Sequence, residues 1–126
     1  HTEIATTCDS PVLIETDKRL LKIILRNIVD NAIKNTISGK IILSVEKQNN
    51  ETIDLTIRDT GNGMSKEQLQ QLDVENTYGF QFEIKNKLGF QIIKDLSTIL
   101  YGQLHIRSEV GIGTSVTLRL PIKMKE

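Results

Sequence analysis

From Thr52 to Arg58 every second residue is apolar: Ile53, Leu55 and Ile57 alternate with Thr52, Asp54, Thr56 and Arg58. A period of two puts one face of a strand against a core and the other toward polar surroundings. The segment then stops at Asp59-Thr60-Gly61-Asn62-Gly63. A half-buried strand needs other strands beside it and an apolar layer over its inner face. The rest of the chain must therefore supply both.

Strand partners are legible on either side. Lys40 to Lys47 carries Ile41, Leu43 and Val45 at alternate positions, and Gln48-Asn49-Asn50-Glu51 reads as a hairpin turn into Thr52. Gln103–Arg107 and Thr114–Leu120 form a second pair around Gly111-Ile112-Gly113, with Pro121 as the stop. Pro11-Val12-Leu13-Ile14 is a further short strand candidate. The covering layer comes from Lys18 to about Thr36, where Leu21, Ile24, Leu25, Ile28 and Ala32 recur at helical spacing. Thr16-Asp17 supplies its N-cap and Ser38-Gly39 its end. Ser65 caps a short helix through about Leu72, with Gln68 as its capping-box partner. A last helix is expected from about Leu88 to Tyr101, stopped by Gly102. Asp73 to Lys87 shows no period and reads as a loop or lid. The expected fold is α/β (α+β), a two-layer sandwich with a mixed, roughly five-stranded sheet and about three helices on one face. Residues 1–126 make one domain of common size.

Composition excludes several functions. Sixteen basic and sixteen acidic side chains cancel, with no block of one sign, so nucleic-acid backbone binding has no electrostatic support. Aromatic content of 4% without Trp argues against single-strand stacking. The one cysteine, Cys8, cannot form an intrachain disulfide and has no metal-ligand set around it, which fits a reducing compartment. Apolar runs are far too short for a membrane span, so no membrane contact is expected of this chain. It opens at His1 rather than Met, and is expected to be a fragment of a longer protein.

Four constellations carry chemistry. At about 100° per residue, Asn27, Asn31 and Lys34 fall in roughly a 60° stripe beside the apolar face of the first helix. The stripe is about 10 Å long, comparable to a triphosphate with its metal. An amide oxygen suits Mg²⁺, and a lysine neutralises phosphate charge. The plainer reading is two boundary amides and a solvated lysine. Asp59 ends a half-buried strand, where a carboxylate accepts a hydrogen bond from an exocyclic amine such as that of adenine. Gly61 and Gly63 permit close approach by a ligand; the same residues also suit a simple turn. Leu88-Gly89-Phe90 opens a helix whose N-terminal amides can meet an anion, with Lys85 and Lys87 just before it; a solvated basic loop is the alternative. Gly111-Ile112-Gly113-Thr114 is a tight turn into a strand.

In this order the segments resemble the ATP-binding catalytic domain of sensor histidine kinases. That family belongs to the Bergerat-fold superfamily, which includes gyrase B, MutL and the heat-shock chaperone ATPases. The resemblance runs from Val12 to Pro121. Leu21 to Thr36 is similar to the N box, Asp59 to Met64 to the first glycine box, Leu88 to Asp95 to the end of the second glycine box, and Gly111 to Pro121 to the end of the domain. The resemblance implies ATP and Mg²⁺ as ligands. Asn31 would coordinate Mg²⁺, Asn27 would line the phosphate side and Lys34 would contact phosphate. Asp59 would take the adenine amine, with Thr114 helping through a water. Gly61 and Gly63 would shape the base pocket, Gly89 would bring helix amides to the phosphates beside Leu88, and residues 73–88 would form the ATP lid. Asn35 stands where the family usually has an aromatic residue.

The second glycine box departs from the family pattern. Lys85 and Lys87 replace two glycines and would supply phosphate charge through their side chains or crowd the site. Phe80 and Phe82 lie in the lid without a clear F-box match, and the lid holds no arginine. Neither His1 nor His105 lies in a phosphoacceptor motif, and His105 is expected to point outward from a strand.

Transfer of the γ-phosphoryl group to a histidine on a separate, upstream dimerisation domain is therefore the implied activity. A response-regulator receiver would be an indirect partner. The isolated domain is expected to be a monomer on the cytoplasmic side, with any inner-membrane anchor elsewhere in the longer protein. Two alternatives stand beside this: a degenerate nucleotide-binding or regulatory module without transferase activity, and an ATPase or protein-serine kinase of the same superfamily, such as an anti-sigma factor.

Overall fold

Strands β1 (Thr2–Cys8), β2 (Gly39–Lys47), β3 (Thr52–Asp59), β4 (Gln103–Glu109) and β5 (Gly113–Pro121) form one sheet in the order β1-β2-β3-β5-β4. β1 runs parallel to β2, and the other three pairings are antiparallel. Helices α1 (Lys18–Asn35), α2 (Lys66–Asp73) and α3 (Ile84–Ile99) complete the domain. The computed structural model describes residues 2–8, 13–36, 38–73 and 84–123. Most of the expected lid lies outside these residues.

The expected alternation sorts the sheet into two faces. Ile53, Ile57 and Asp59 of β3 are buried, as are Ile41 of β2 and Thr114, Val116, Leu118 and Leu120 of β5. α1 contributes Ile24, Ile28 and Ala32 to the same core, α3 contributes Phe90 and Ile93, and Leu100 follows just after α3. Burial of each large aliphatic chain stabilises the fold by about 1.5–3 kcal/mol, and this joins the helix layer to the sheet. The outer face is polar. There the Arg119 guanidinium donates to both Asp54 carboxylate oxygens, at 2.8 and 3.0 Å.

The local signals act as their chemistry requires. Asp17 caps α1, its Oδ1 accepting from the Arg19 and Leu20 amides at 3.0 and 3.2 Å. Ser65 and Gln68 form the capping box of α2 by exchanging side-chain and backbone bonds at 3.2 and 2.9 Å. In the β2–β3 turn, Asn49 Oδ1 accepts from the Glu51 and Thr52 amides.

Several expectations need correction. The N-terminal strand is Thr2–Cys8, whereas Leu13 and Ile14 have no regular structure and Pro11 and Val12 lie outside the described residues. Near Leu13 the chain is held instead by a bond from the Glu15 amide to the Ile122 carbonyl, at 2.7 Å. α1 ends at Asn35, three residues before Ser38. Its final carbonyl accepts from the Asn62 amide at 3.2 Å, so the glycine turn after β3 supplies the helix stop. α3 begins at Ile84 rather than Leu88. Lysine favours helix far more than glycine does, so Lys85 and Lys87 extend α3 by a turn through a segment read as lid.

At the far end of α3, Tyr101 and not Gly102 takes the left-handed conformation, with φ of 58°. The Gly102 amide reaches the Ser97 carbonyl at 2.7 Å and the Tyr101 amide reaches Thr98 at 3.0 Å, which is a Schellman cap. Gly102 is needed for space, because a Cβ there would press on Leu120 and on the Arg119 carbonyl.

Candidate functional site

At the end of β3 the Asp59 carboxylate is buried, with 5% of its surface exposed. Its Oδ1 accepts from the Gly61 amide at 2.9 Å and the Thr114 amide at 3.2 Å. The paired strands make this possible, since Asp59 and Thr114 are direct partners in the β3–β5 register. Among the described residues no hydrogen bond reaches Oδ2. Burial pushes the carboxyl above its ordinary value of 3.8, against the pull of the two amides. This is a carboxylate held rigidly by one oxygen, with the other left as an acceptor.

The turn after Asp59 is clamped on two sides. On one, Gly61 lies so close to the Asn35 carbonyl that a Cβ would overlap it. On the other, Gly63 has φ of 71°, and a Cβ would overlap the Glu109 carbonyl. The Asn62 carbonyl accepts from the Gly111 amide at 2.9 Å, tying the turn to the β4–β5 hairpin. Both glycines are thus required by the backbone packing of the turn itself, whatever else the site does.

A serine that the sequence reading passed over closes the network. Ser108 Oγ, on β4, accepts from the Met64 amide at 2.7 Å, donates to the Gly113 carbonyl at 3.1 Å, and lies 2.7 Å from Thr114 Oγ1. Nothing local singles out this residue. Its role comes from the pairing of Ser108 with Thr114 across β4 and β5.

The α1 stripe is graded in exposure. Asn31 is buried, with 7% of its surface exposed, and its Nδ2 has no hydrogen-bond partner among the described residues. Asn27 is half-buried and donates from Nδ2 to the Ile23 carbonyl at 2.8 Å. Lys34 is exposed, and Asn35 is half-buried with its carbonyl bonded to the glycine turn. Asn31 lies one helical turn, about 6 Å, from that turn-binding carbonyl. The structure therefore brings together Asp59, Gly61, Gly63, Asn35 and Thr114, with Asn31 and Asn27 extending away along α1.

Lys85, Lys87, Leu88 and Gly89 all lie in the first turns of α3. The free amides of a helix starting at Ile84 belong to its first turn, so the Gly89 amide falls within the helical ladder. The expectation that a helix opens at Leu88-Gly89-Phe90 is corrected, since α3 starts at Ile84. His105 is exposed on β4, as expected.

A cavity of about 290 Å³ also borders this end of the sheet. Its walls include Arg58, Arg107 and Ser115, which strand alternation places on the outer face. Asp59, Ser108 and Thr114 line the same cavity, so it adjoins the buried carboxylate and its hydroxyl network. Among the described residues no group of three or more His, Cys, Asp or Glu side chains is placed to hold a metal, and no helix is long and apolar enough to cross a membrane.

The family model described as histidine kinase-, DNA gyrase B-, and HSP90-like ATPase matches residues 16–124, and the chain belongs to this family. Its relatives include the sensor protein EvgS of Escherichia coli (strain K12), 31% identical over 98% of this chain. The chain spans only 11% of that protein's length. Among solved structures, full-length ShkA in complex with AMPPNP superposes with a TM-score of 0.82 at 25% identity, over 98% of this chain and 26% of that one. The catalytic domain of the histidine kinase ThkA shares the fold at TM-score 0.80 and 19% identity, over 98% of this chain and 82% of that one.

Proposed function

We propose that this domain binds Mg²⁺-ATP and presents the γ-phosphoryl group to a histidine on a separate dimerisation domain, as the catalytic module of a two-component sensor kinase. The observation that carries the reading is Asp59: a buried carboxylate fixed through Oδ1, with Oδ2 left to accept from an exocyclic amine. Membership of the kinase-type ATPase family supports it, as does the AMPPNP complex of a related fold.

In this reading Asp59 and Thr114 hold the adenine, and Gly61 and Gly63 shape the pocket behind it. Asn31 would hold a hard cation through its carboxamide oxygen, while its buried Nδ2, without a partner among the described residues, is a donor left for a phosphate oxygen or a water. When bound, the metal would neutralise phosphate charge. Asn27 and Lys34 line the phosphate side, and Lys85 and Lys87 add positive charge from the start of α3. The lid reading of residues 73–88 falls mostly outside the described residues. The site supplies positioning and charge stabilisation, which dominate phosphoryl transfer. Transfer breaks the bond between the β,γ-bridging oxygen and the γ-phosphorus and forms a phosphorus–nitrogen bond to the acceptor imidazole, leaving ADP. A receiver domain is then the indirect partner. The domain works on the cytoplasmic side as a monomer.

Calorimetric titration with a non-hydrolysable ATP analogue, with and without Mg²⁺, tests the reading. Metal-dependent binding is the expected result, and no binding at millimolar nucleotide would overturn it. The second reading is binding without transfer. It is favoured by the extension of α3 through Lys85 and Lys87, which replaces a glycine loop with helix. Transfer to a supplied acceptor domain separates the two readings.

A further inference from the structure

We propose that Ser108 is a positioning residue that sets the hydrogen-bond polarity of the base pocket, and so its preference for a 6-amino over a 6-oxo purine. The inference rests on the nucleotide reading given above and assigns to that site a determinant of base specificity.

The argument is one of proton counting. Ser108 Oγ has one proton and two acceptor positions. It has three neighbours: the Met64 amide, which can only donate; the Gly113 carbonyl, which can only accept; and Thr114 Oγ1, which can do either. If Ser108 gives its proton to Gly113, then Thr114 donates to Ser108 and all three contacts are hydrogen bonds. If Ser108 gives its proton to Thr114, the Gly113 contact becomes an unbonded pair of oxygens at 3.1 Å. The first arrangement uses every contact and is favoured.

Its consequence falls on Thr114. With its proton committed to Ser108, Thr114 Oγ1 has only lone pairs left. Thr114 is 6% exposed and donates its backbone amide to Asp59 Oδ1, so the hydroxyl and the carboxylate belong to one patch. Asp59 Oδ2 is also an acceptor. A patch made only of acceptors matches an edge bearing donors, such as an exocyclic amine or a water with both protons turned inward. It repels a carbonyl at the same place. Ser108 exerts this effect through Thr114.

Replacing Ser108 releases the Thr114 proton. The hydroxyl can then turn and donate, and a 6-oxo group finds a partner. The test measures Kd for Mg²⁺-ATP and Mg²⁺-ITP on the 126-residue chain and on its Ser108 variants. Wild type should favour ATP by about tenfold or more, since a mismatched polar group in a built site is strongly rejected. Ser108→Ala should reduce that ratio several-fold, with the loss falling on ATP relative to ITP. Ser108→Cys preserves volume with a weak donor and acceptor, and should behave as Ser108→Ala does, which keeps the test decisive if the alanine variant does not fold. Ser108→Thr retains the hydroxyl and should restore the ratio.

A purely structural role for Ser108 would weaken both nucleotides by one factor and leave the ratio unchanged. That outcome, with wild type still binding ATP, overturns this inference and leaves the nucleotide reading standing. Wild type binding neither nucleotide overturns both.

Discussion

The two ends of the candidate site are built differently. On the base side Asp59, Gly61, Gly63, Ser108 and Thr114 are locked by backbone bonds, carbonyl contacts and one shared hydroxyl. On the α1 side Asn31 has a buried amide nitrogen with no partner among the described residues, and Lys34 stands in solvent. The first region is part of the fold's own hydrogen-bond network. In the second, that amide nitrogen adds no bond to this network among the described residues. Stability and binding should therefore separate along this line.

The sharpest way to break the contrast is Gly63→Ala. The added methyl meets the Glu109 carbonyl at a φ of 71°, so unfolding free energy in urea should fall by about 2–4 kcal/mol, with binding lost alongside it. Asp59→Asn should weaken the ATP analogue by about a hundredfold, because a donor replaces the acceptor facing the amine and a charge-assisted bond is lost. The same variant should be more stable than wild type at neutral pH. A carboxyl raised above 3.8 makes the ionised native state less stable relative to the unfolded chain; the deficit is absent below that value and complete above the raised one. Melting temperatures of both proteins across this range should therefore coincide in acid and separate toward neutrality. No separation would mean that Asp59 is not strained by burial.

Asn31→Ala sharpens the contrast from the other side. Analogue affinity in Mg²⁺ should fall about tenfold or more and lose its metal dependence, with unfolding free energy changed by less than about 1 kcal/mol, since no hydrogen bond on its nitrogen is broken. A large loss of stability would instead show that this amide is structural. The smallest effect is expected away from both ends. Tyr101→Asn places a residue tolerant of the left-handed region at φ 58° and should stabilise the domain by up to about 1 kcal/mol without altering affinity.

What the sequence disclosed follows from where each signal originates. The β2–β3 hairpin, the Asp17 cap and the Ser65–Gln68 box are local, and each forms as its residues predict. Asp59 was legible because a carboxylate ending an apolar strand is costly unless something holds it. β1 was missed because it is an edge strand whose apolar residue Ile4 is 55% exposed, so no alternation marks it. The α3 boundary was missed because the residues before Leu88 show no helical period of apolar positions. Ser108 was missed because its three partners come from the residues after β3 and from the start of β5. Gly113 and Thr114 are only 5 and 6 residues away but meet it through the β4–β5 pairing, and Met64 lies 44 residues before it.

The bond from Thr114 to Asp59 joins residues 55 apart, across a chain segment that includes α2, α3 and β4. Contacts of such separation carry a loop-closure cost and form late relative to hairpins. α1, β2 and β3 can dock early as a contiguous stretch, but the acceptor patch has no second half until β5 inserts between β3 and β4. A chain stopped before Gly113 would keep Asp59 and lose the site. For the same reason, a ligand held by both halves favours only the chain that has completed its sheet, and links occupancy to the most non-local step of folding.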